Sequence, residues 1–287
     1  MVLLTFNKLN SKMASSSSMG NCTALSDLNR FNDIKFIEST HEYFHQVPNN
    51  DYTVAPIREH KFTSVTTFIK KVIPTFNQDY WLTYKTLEGM GLKVESHSKQ
   101  NVPQEFIKVN GELIHYKTLK VDTTNLATEW KKKSTTALTN GTAVHREMEL
   151  AFQGKYLGDV SWKYAQANKH LFQLRAEFIV ADYEKKIAGQ LDALFFNVLT
   201  DEFELHDYKT DKEISTTNRF ESLLPPLEFM SNCNFNKYTI QLNMYKHCIE
   251  KYTDIKIGVM KIVHIRDENV EVIEIPDCPD IIKYILR

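Results

Sequence analysis

The 287-residue chain is 42% hydrophobic and 25% charged, with a formal net charge of −1. That is an ordinary globular composition with enough apolar residues for a sizeable core, in one large domain or two small ones. It excludes a global basic field that would announce a nucleic-acid partner, and leaves steering of an anion to local patches. Lysines cluster at Lys70–Lys71, Lys131–Lys133 and Lys185–Lys186, and a solvated face is the plain alternative for each. Cys22, Cys233, Cys248 and Cys278 are widely spaced, with no CxxC pair. This argues against a zinc ribbon or a disulfide scaffold and fits a reducing intracellular compartment, without distinguishing nuclear, organellar and cytoplasmic addresses. No apolar run reaches the roughly 18–20 residues of a membrane span, and MVLLTF lacks the length and basic flank of a signal peptide. Neither insertion nor secretion is expected.

In chain order, residues 1–30 include SKMASSSSMGN and read as a flexible lead-in. FIESTHEYFHQ, from Phe36, has strand character. Thr63 or Ser64 can cap a helix with Val65, Phe68, Ile69 and Val72 on one side, ending before Pro74. Residues 78–90 read as helix. FIKVNGELIHYKTLKV alternates and predicts a small hairpin around Asn110-Gly111. Residues 124–154 read as two helices broken near Asn140-Gly141. In the second, Val144, Met148 and Ala151 or Phe152 fall at helical spacing, with His145 and Glu149 one turn apart on an adjacent stripe. Residues 161–176 predict another helix.

From Ala176 the period changes to two. EFIVADYE, IAGQLDALFFN and EFELHDYKT are three strands joined by polar turns. A polar, Pro-containing insertion (211–236) precedes the amphipathic helix KYTIQLNMYKHCIEKY. IGVMKIVHI and NVEVIEIP then predict a closing hairpin. The expected fold class is α/β (α+β), a central mixed sheet flanked by helices. A mostly helical region at 31–130 is expected to pack on a core at 131–287.

Chemistry concentrates in the three strands. Asp192 interrupts the apolar run QLDALFF, and a buried carboxylate needs a partner or a metal. Asp207 and Lys209 are two apart on a strand and share a face. If the second and third strands pair as a meander, Asp192 sits beside Asp207. Two close carboxylates raise each other's pKa unless a cation lies between them, and Mg²⁺ suits such a pair. The alternative for Asp-x-Lys alone is an exposed ion pair, which is the commoner meaning of so short a motif.

Four segments occur in order: Gly141-Thr142-Ala143-Val144-His145, Gly189-Gln190-Leu191-Asp192, Asp207-Tyr208-Lys209-Thr210 and Gln241-Leu242-Asn243-Met244-Tyr245. Together they resemble the GTxxH, GxxD, DxK and QxxxY motifs of the PD-(D/E)XK nuclease superfamily, in its RecB-like exonuclease branch. The resemblance covers about residues 130–250. Residues 60–80 also look like the front of phage, large-DNA-virus and mitochondrial members.

The resemblance implies a restriction-endonuclease-like core and metal-dependent hydrolysis of DNA. Asp192 and Asp207 would ligate Mg²⁺ or Mn²⁺, the Tyr208 carbonyl would be a further ligand, and Lys209 would assist the attacking water. His145 would be an additional ligand, and Gln241 and Tyr245 would face the site. Glu177 is a weaker carboxylate candidate and Glu149 a support for His145. Lys131, Lys132, Lys133, Arg146 and Lys237 are candidates to hold the DNA backbone. The cysteine group of the iron–sulfur members is missing, so no cluster is expected.

The implied function is an exonuclease acting on DNA ends, single- or double-stranded, in recombination, repair or genome processing. A structure-specific endonuclease, and a silent nucleic-acid-binding relative or subunit of a larger complex, stay open. A Mg²⁺ enzyme acting on nucleotides would want a Gly-rich phosphate loop, and neither GxxxxGK[ST] nor GxGxxG occurs.

Overall fold

The computed structural model describes residues 26–47, 57–96 and 105–287. The expected lead-in at 1–30 lies almost wholly outside them. The chain divides into two compact units, one of residues up to 70, 145–211 and 237–287, the other of 71–144 and 212–236.

The first unit is built on a mixed sheet. Strands β1 (Ile34–Ile37), β2 (Glu42–Val47) and β3 (Ile57–Ser64) form an antiparallel meander. Parallel pairing of β3 with β8 (Ile187–Asn197), through Thr63↔Ile187 and Ser64↔Ala188, joins that meander to the main sheet. β7 (Leu171–Asp182) and β9 (Glu202–Lys209) flank β8 antiparallel, β10 (Ile257–Arg266) runs parallel to β9, and β11 (Asn269–Ile275) closes the edge. β8 is buried almost throughout, which is why IAGQLDALFFN reads as a nearly continuous apolar run. Helix α1 (Val65–Ile69) begins at Ser64, whose Oγ accepts the Thr67 amide at 3.0 Å. Crossover helix α5 (Asn234–Tyr252) lies between β9 and β10 in the chain and buries Ile240, Met244, Cys248 and Ile249. Helix α6 (Pro279–Ile285) ends the chain.

The second unit contains α2 (Gln78–Gly89) and the three-stranded meander β4 (Val94–Ser96), β5 (Phe106–Val109) and β6 (Glu112–His115). Tyr80, Leu87, Ile107 and Tyr116 form its core. The expected turn is present at Asn110-Gly111, with φ of 50° and 94°, the left-handed pair a tight hairpin turn requires.

Three expectations are corrected. Residues 31–130 are not mostly helical: they hold β1 to β6. Within that range, β3 joins the main sheet by pairing with β8. The break at Asn140-Gly141 is absent, and α3 runs unbroken from Thr124 to Phe152. The hydroxyls of Thr128, Thr135, Thr139 and Thr142 each donate to the carbonyl one turn back and follow its hydrogen-bonding pattern. The helix expected at 161–176 is α4 (Asp159–Ala167), and Leu171 onward is already β7. Among the described residues no helix is long and apolar enough to cross a membrane.

Candidate metal and catalytic site

The site forms where β7, β8 and β9 lie side by side. The β8–β9 register ends at Ala193↔His206, so Asp192 and Asp207 fall opposite each other one step on. There the ladder gives way to a side chain: Asp192 Oδ2 accepts the Tyr208 amide at 2.6 Å. On the other side, Ala176↔Ala193 and Phe178↔Leu191 bracket Glu177 against Asp192. Three carboxylates thus come from three adjacent strands.

Glu177 sits in mid-strand, not at the strand start as expected, and its φ is 47°. Left-handed backbone at a residue with a Cβ costs roughly 1–2 kcal/mol. The Gln190 side chain donates to the Glu177 carbonyl at 3.1 Å and holds the turned-out backbone. His145, near the end of α3, brings Nδ1 to 3.3 Å from Asp192 Oδ1. One donor atom each from His145, Glu177 and Asp192 lies within 4.8 Å of the others, a spacing that could hold one cation.

Asp207 and Lys209 share the next face of β9, as the two-residue period requires. They form an ion pair, with side chains 4% and 17% exposed. Gln241 Nε2 lies 3.4 Å from Asp207 Oδ1 and donates to the Tyr245 hydroxyl at 3.0 Å. The Tyr245 ring lies so close to β8 that a Cβ on Gly189 would be 2.6 Å from its Cε1. The glycine of the GxxD segment is therefore a packing requirement.

The electrostatics divide the carboxylates. Burial first, and then the Asp192 charge, push Asp207 up to about 6 even against Lys209. Desolvation and Asp192 push the carboxyl of the otherwise exposed Glu177 up to about 7. Burial also opposes ionisation of Asp192, but His145, Lys209 and the Tyr208 amide outweigh it and hold that carboxyl below the usual value. Burial acts against the charged forms of His145 and Lys209; the Asp192 and Asp207 carboxylates reverse this and raise both.

The other expected residues fall as follows. Tyr208 turns to the opposite face, buried, with its ring edge-on to His145 at 5.8 Å. Glu149 does not bond His145: its carboxylate accepts from Arg146 and from Gln153. Arg146, a DNA candidate, is thus already paired. Lys237 is half-buried one turn before Gln241. Lys131, Lys132 and Lys133 are exposed on α3 in the second unit, and Lys133 pairs with Glu129. Lys131 lines a cleft of that unit with Phe76, Asp79 and Trp130, a cavity that holds none of the strand carboxylates. Cys233, Cys248 and Cys278 are free thiols. Asp211 and Tyr238, beside Lys209, were not singled out from sequence. The available signals were the alternation of Asp207, Lys209 and Asp211, and the place of Tyr238 three residues before Gln241.

No protein-family model matches the chain, and no curated protein matches it. Among solved structures, one described as "Crystal structure of SSO0001" aligns over 73% of this chain and 82% of its own, at 13% identity and a TM-score of 0.27. A TM-score that low carries no argument about fold or activity.

Proposed function

We propose that this chain is a divalent-metal-dependent DNA nuclease on a restriction-endonuclease-like core, acting at DNA ends. The observation that carries the reading is the cluster of His145, Glu177 and Asp192 with the Asp207–Lys209 ion pair on the strand beside it. A stable fold gains nothing from three crowded carboxylates, and two of them hold protons up to about 6 and 7. A cation would relieve that crowding. One imidazole nitrogen with carboxylate oxygens suits Mn²⁺ as well as Mg²⁺. When bound, such an ion supplies Lewis acidity for phosphodiester hydrolysis.

The chain's own residues do the rest. Lys209 holds a positive charge beside the carboxylates, where the charge developing on a phosphate in the transition state needs neutralising. Gln241 keeps Asp207 oriented, and Tyr245 keeps Gln241 in place. The Tyr208 amide and His145 fix the two oxygens of Asp192. Solvated lysines elsewhere on the chain would hold the DNA backbone.

The test is a cleavage time course on end-labelled linear single- and double-stranded DNA and on closed circles, with Mg²⁺, Mn²⁺ or EDTA. Metal-dependent loss of linear DNA with circles spared is expected, and Lys209→Ala should slow it on the order of 100-fold or more. Nicked circles would make it an endonuclease. Folded protein that binds DNA and cleaves none with any metal would leave a silent binding relative.

A further inference from the structure

Lys209 is held by more than its carboxylate partner. Its Nζ lies 4.9 Å from the centre of the Tyr238 ring, over the ring face. The Tyr238 hydroxyl donates to Asp211 Oδ2 at 2.5 Å. Asp211 is fixed in turn: its carbonyl lies 2.7 Å from His264 Nε2, and His264 Nδ1 faces Glu271 at 3.5 Å. A connected chain therefore runs from β11 through β10 and Asp211, two residues past β9, to α5, and finishes under one ammonium group. His264 is 4% exposed, so the inner part of the chain is shielded from water.

A lysine has four rotatable side-chain bonds and no intrinsic reason to keep one position. The Asp207 charge draws Nζ toward the carboxylates but does not fix its direction. An aromatic face does: a cation over a ring is attracted to one side of one plane, by about 0.5–2 kcal/mol. The hydroxyl bond to Asp211 anchors the tip of the ring and so keeps the ring beneath the ammonium. Tyr238 is half-buried in the first turns of α5.

We infer that Tyr238 is a positioning residue for Lys209, its ring seating the ammonium and Asp211 tethering the ring. This rests on the nuclease reading and deepens it. It adds a residue that never touches substrate but sets where the lysine charge stands.

The test compares Tyr238→Phe, Tyr238→Leu and Asp211→Ala with the native chain. Each is read by single-turnover cleavage at saturating linear DNA and Mg²⁺, by DNA affinity with Ca²⁺ in place of Mg²⁺, and by thermal unfolding. Tyr238→Leu should lower the single-turnover rate on the order of 10-fold, with DNA affinity within about 2-fold. Tyr238→Phe keeps the ring and should recover most of that loss. Asp211→Ala frees the tip of the ring, as phenylalanine does, and also removes a charge beside Lys209, so it should fall between them. A merely structural tyrosine would change affinity and unfolding temperature together and would not be rescued in rate alone. Leucine at the native rate, or phenylalanine as slow as leucine, overturns the positioning role while leaving the nuclease reading intact. A native chain that cleaves no DNA with any metal overturns the nuclease reading, and the positioning role falls with it.

Discussion

Gly189 shows how narrow the tolerance of the site is at the scale of one residue. Its missing side chain is occupied by Tyr245 on one side and Val65 on the other, where a Cβ would lie 2.6 and 2.9 Å from their atoms. Gly189→Ala must push the ring away from β8. Overpacking of this kind costs about 1–3 kcal/mol. The displaced ring also loses its hydroxyl from Gln241, and Gln241 its hold on Asp207. The expected outcome is a lower urea midpoint and, on the proposed nuclease reading, slower DNA cleavage. A variant as stable and as active as the native chain would mean that Tyr245 is not held by this contact. The juxtaposition of Asp192, Asp207 and Lys209 was legible in the sequence, because strand alternation and a buried carboxylate in QLDALFF leave few arrangements; His145 entered only through the resemblance of Gly141–His145 to the GTxxH motif. Glu177 was harder to read. Its place depends on a left-handed backbone that no pattern announces, and on a register with β8 that only the folded sheet fixes.

At the scale of elements, the two faces of β9 do different work. Asp207 and Lys209 form the site, while Glu204 and His206 face the other way into a buried polar network. Glu204 accepts from Asn197 at 2.6 Å and from Lys261 at 2.5 Å, and lies 2.9 Å from His206, which ties β8, β9 and β10 together. Burial opposes the Glu204 charge, but His206, Lys261 and Asn197 outweigh it and hold the carboxyl at about 2. A depressed carboxylate contributes stability above its unfolded pKa of roughly 4.3 and loses it as pH falls toward about 2. Lys261→Met removes the cationic partner of that charge and leaves Asn197 and His206, and should cost about 2 kcal/mol at neutral pH. Urea unfolding at pH 7 and pH 3 checks it: the gap between variant and native chain should narrow at pH 3, and a gap independent of pH would sink the account. The strands from Glu177 onward and α5 were legible because their periods of two and 3.6 are clean. The length of α3 was not, because Asn140-Gly141 signals a turn locally while threonine hydroxyls follow the helix across it. Leu171 to Ala176 were misassigned for a related reason: a short apolar run fits either period until its partner strand is known.

At the scale of the whole molecule, a net charge of −1 supplies no global positive field, so the crowded carboxylates must be balanced where they stand. Folding carries that cost in a pH-dependent way. Asp207 at about 6, Glu177 at about 7 and the raised His145 all bind protons more tightly folded than unfolded. Such groups contribute stability that is fully present below their unfolded pKa and is lost as pH rises through the folded one. Asp192 is depressed and works in the opposite sense, but only at more acidic pH. Through Asp207 and Glu177 the metal-free chain should lose stability between about pH 4 and pH 7, and His145 adds to the loss above its unfolded value of about 6.5. A divalent ion competes with the same protons, so it should bind more tightly at pH 8 than at pH 5. Near 100 times its dissociation constant, Mn²⁺ should stabilise the chain by about 2.7 kcal/mol, a rise in melting temperature of roughly 5–10 °C. The rise should be larger at pH 8 than at pH 5 and absent in Asp192→Asn. Equal shifts at both pH values, or a shift that survives Asp192→Asn, would mean that the ion binds elsewhere. The proton count tests the site without any DNA present, because only a cation bound among these groups has to displace those protons.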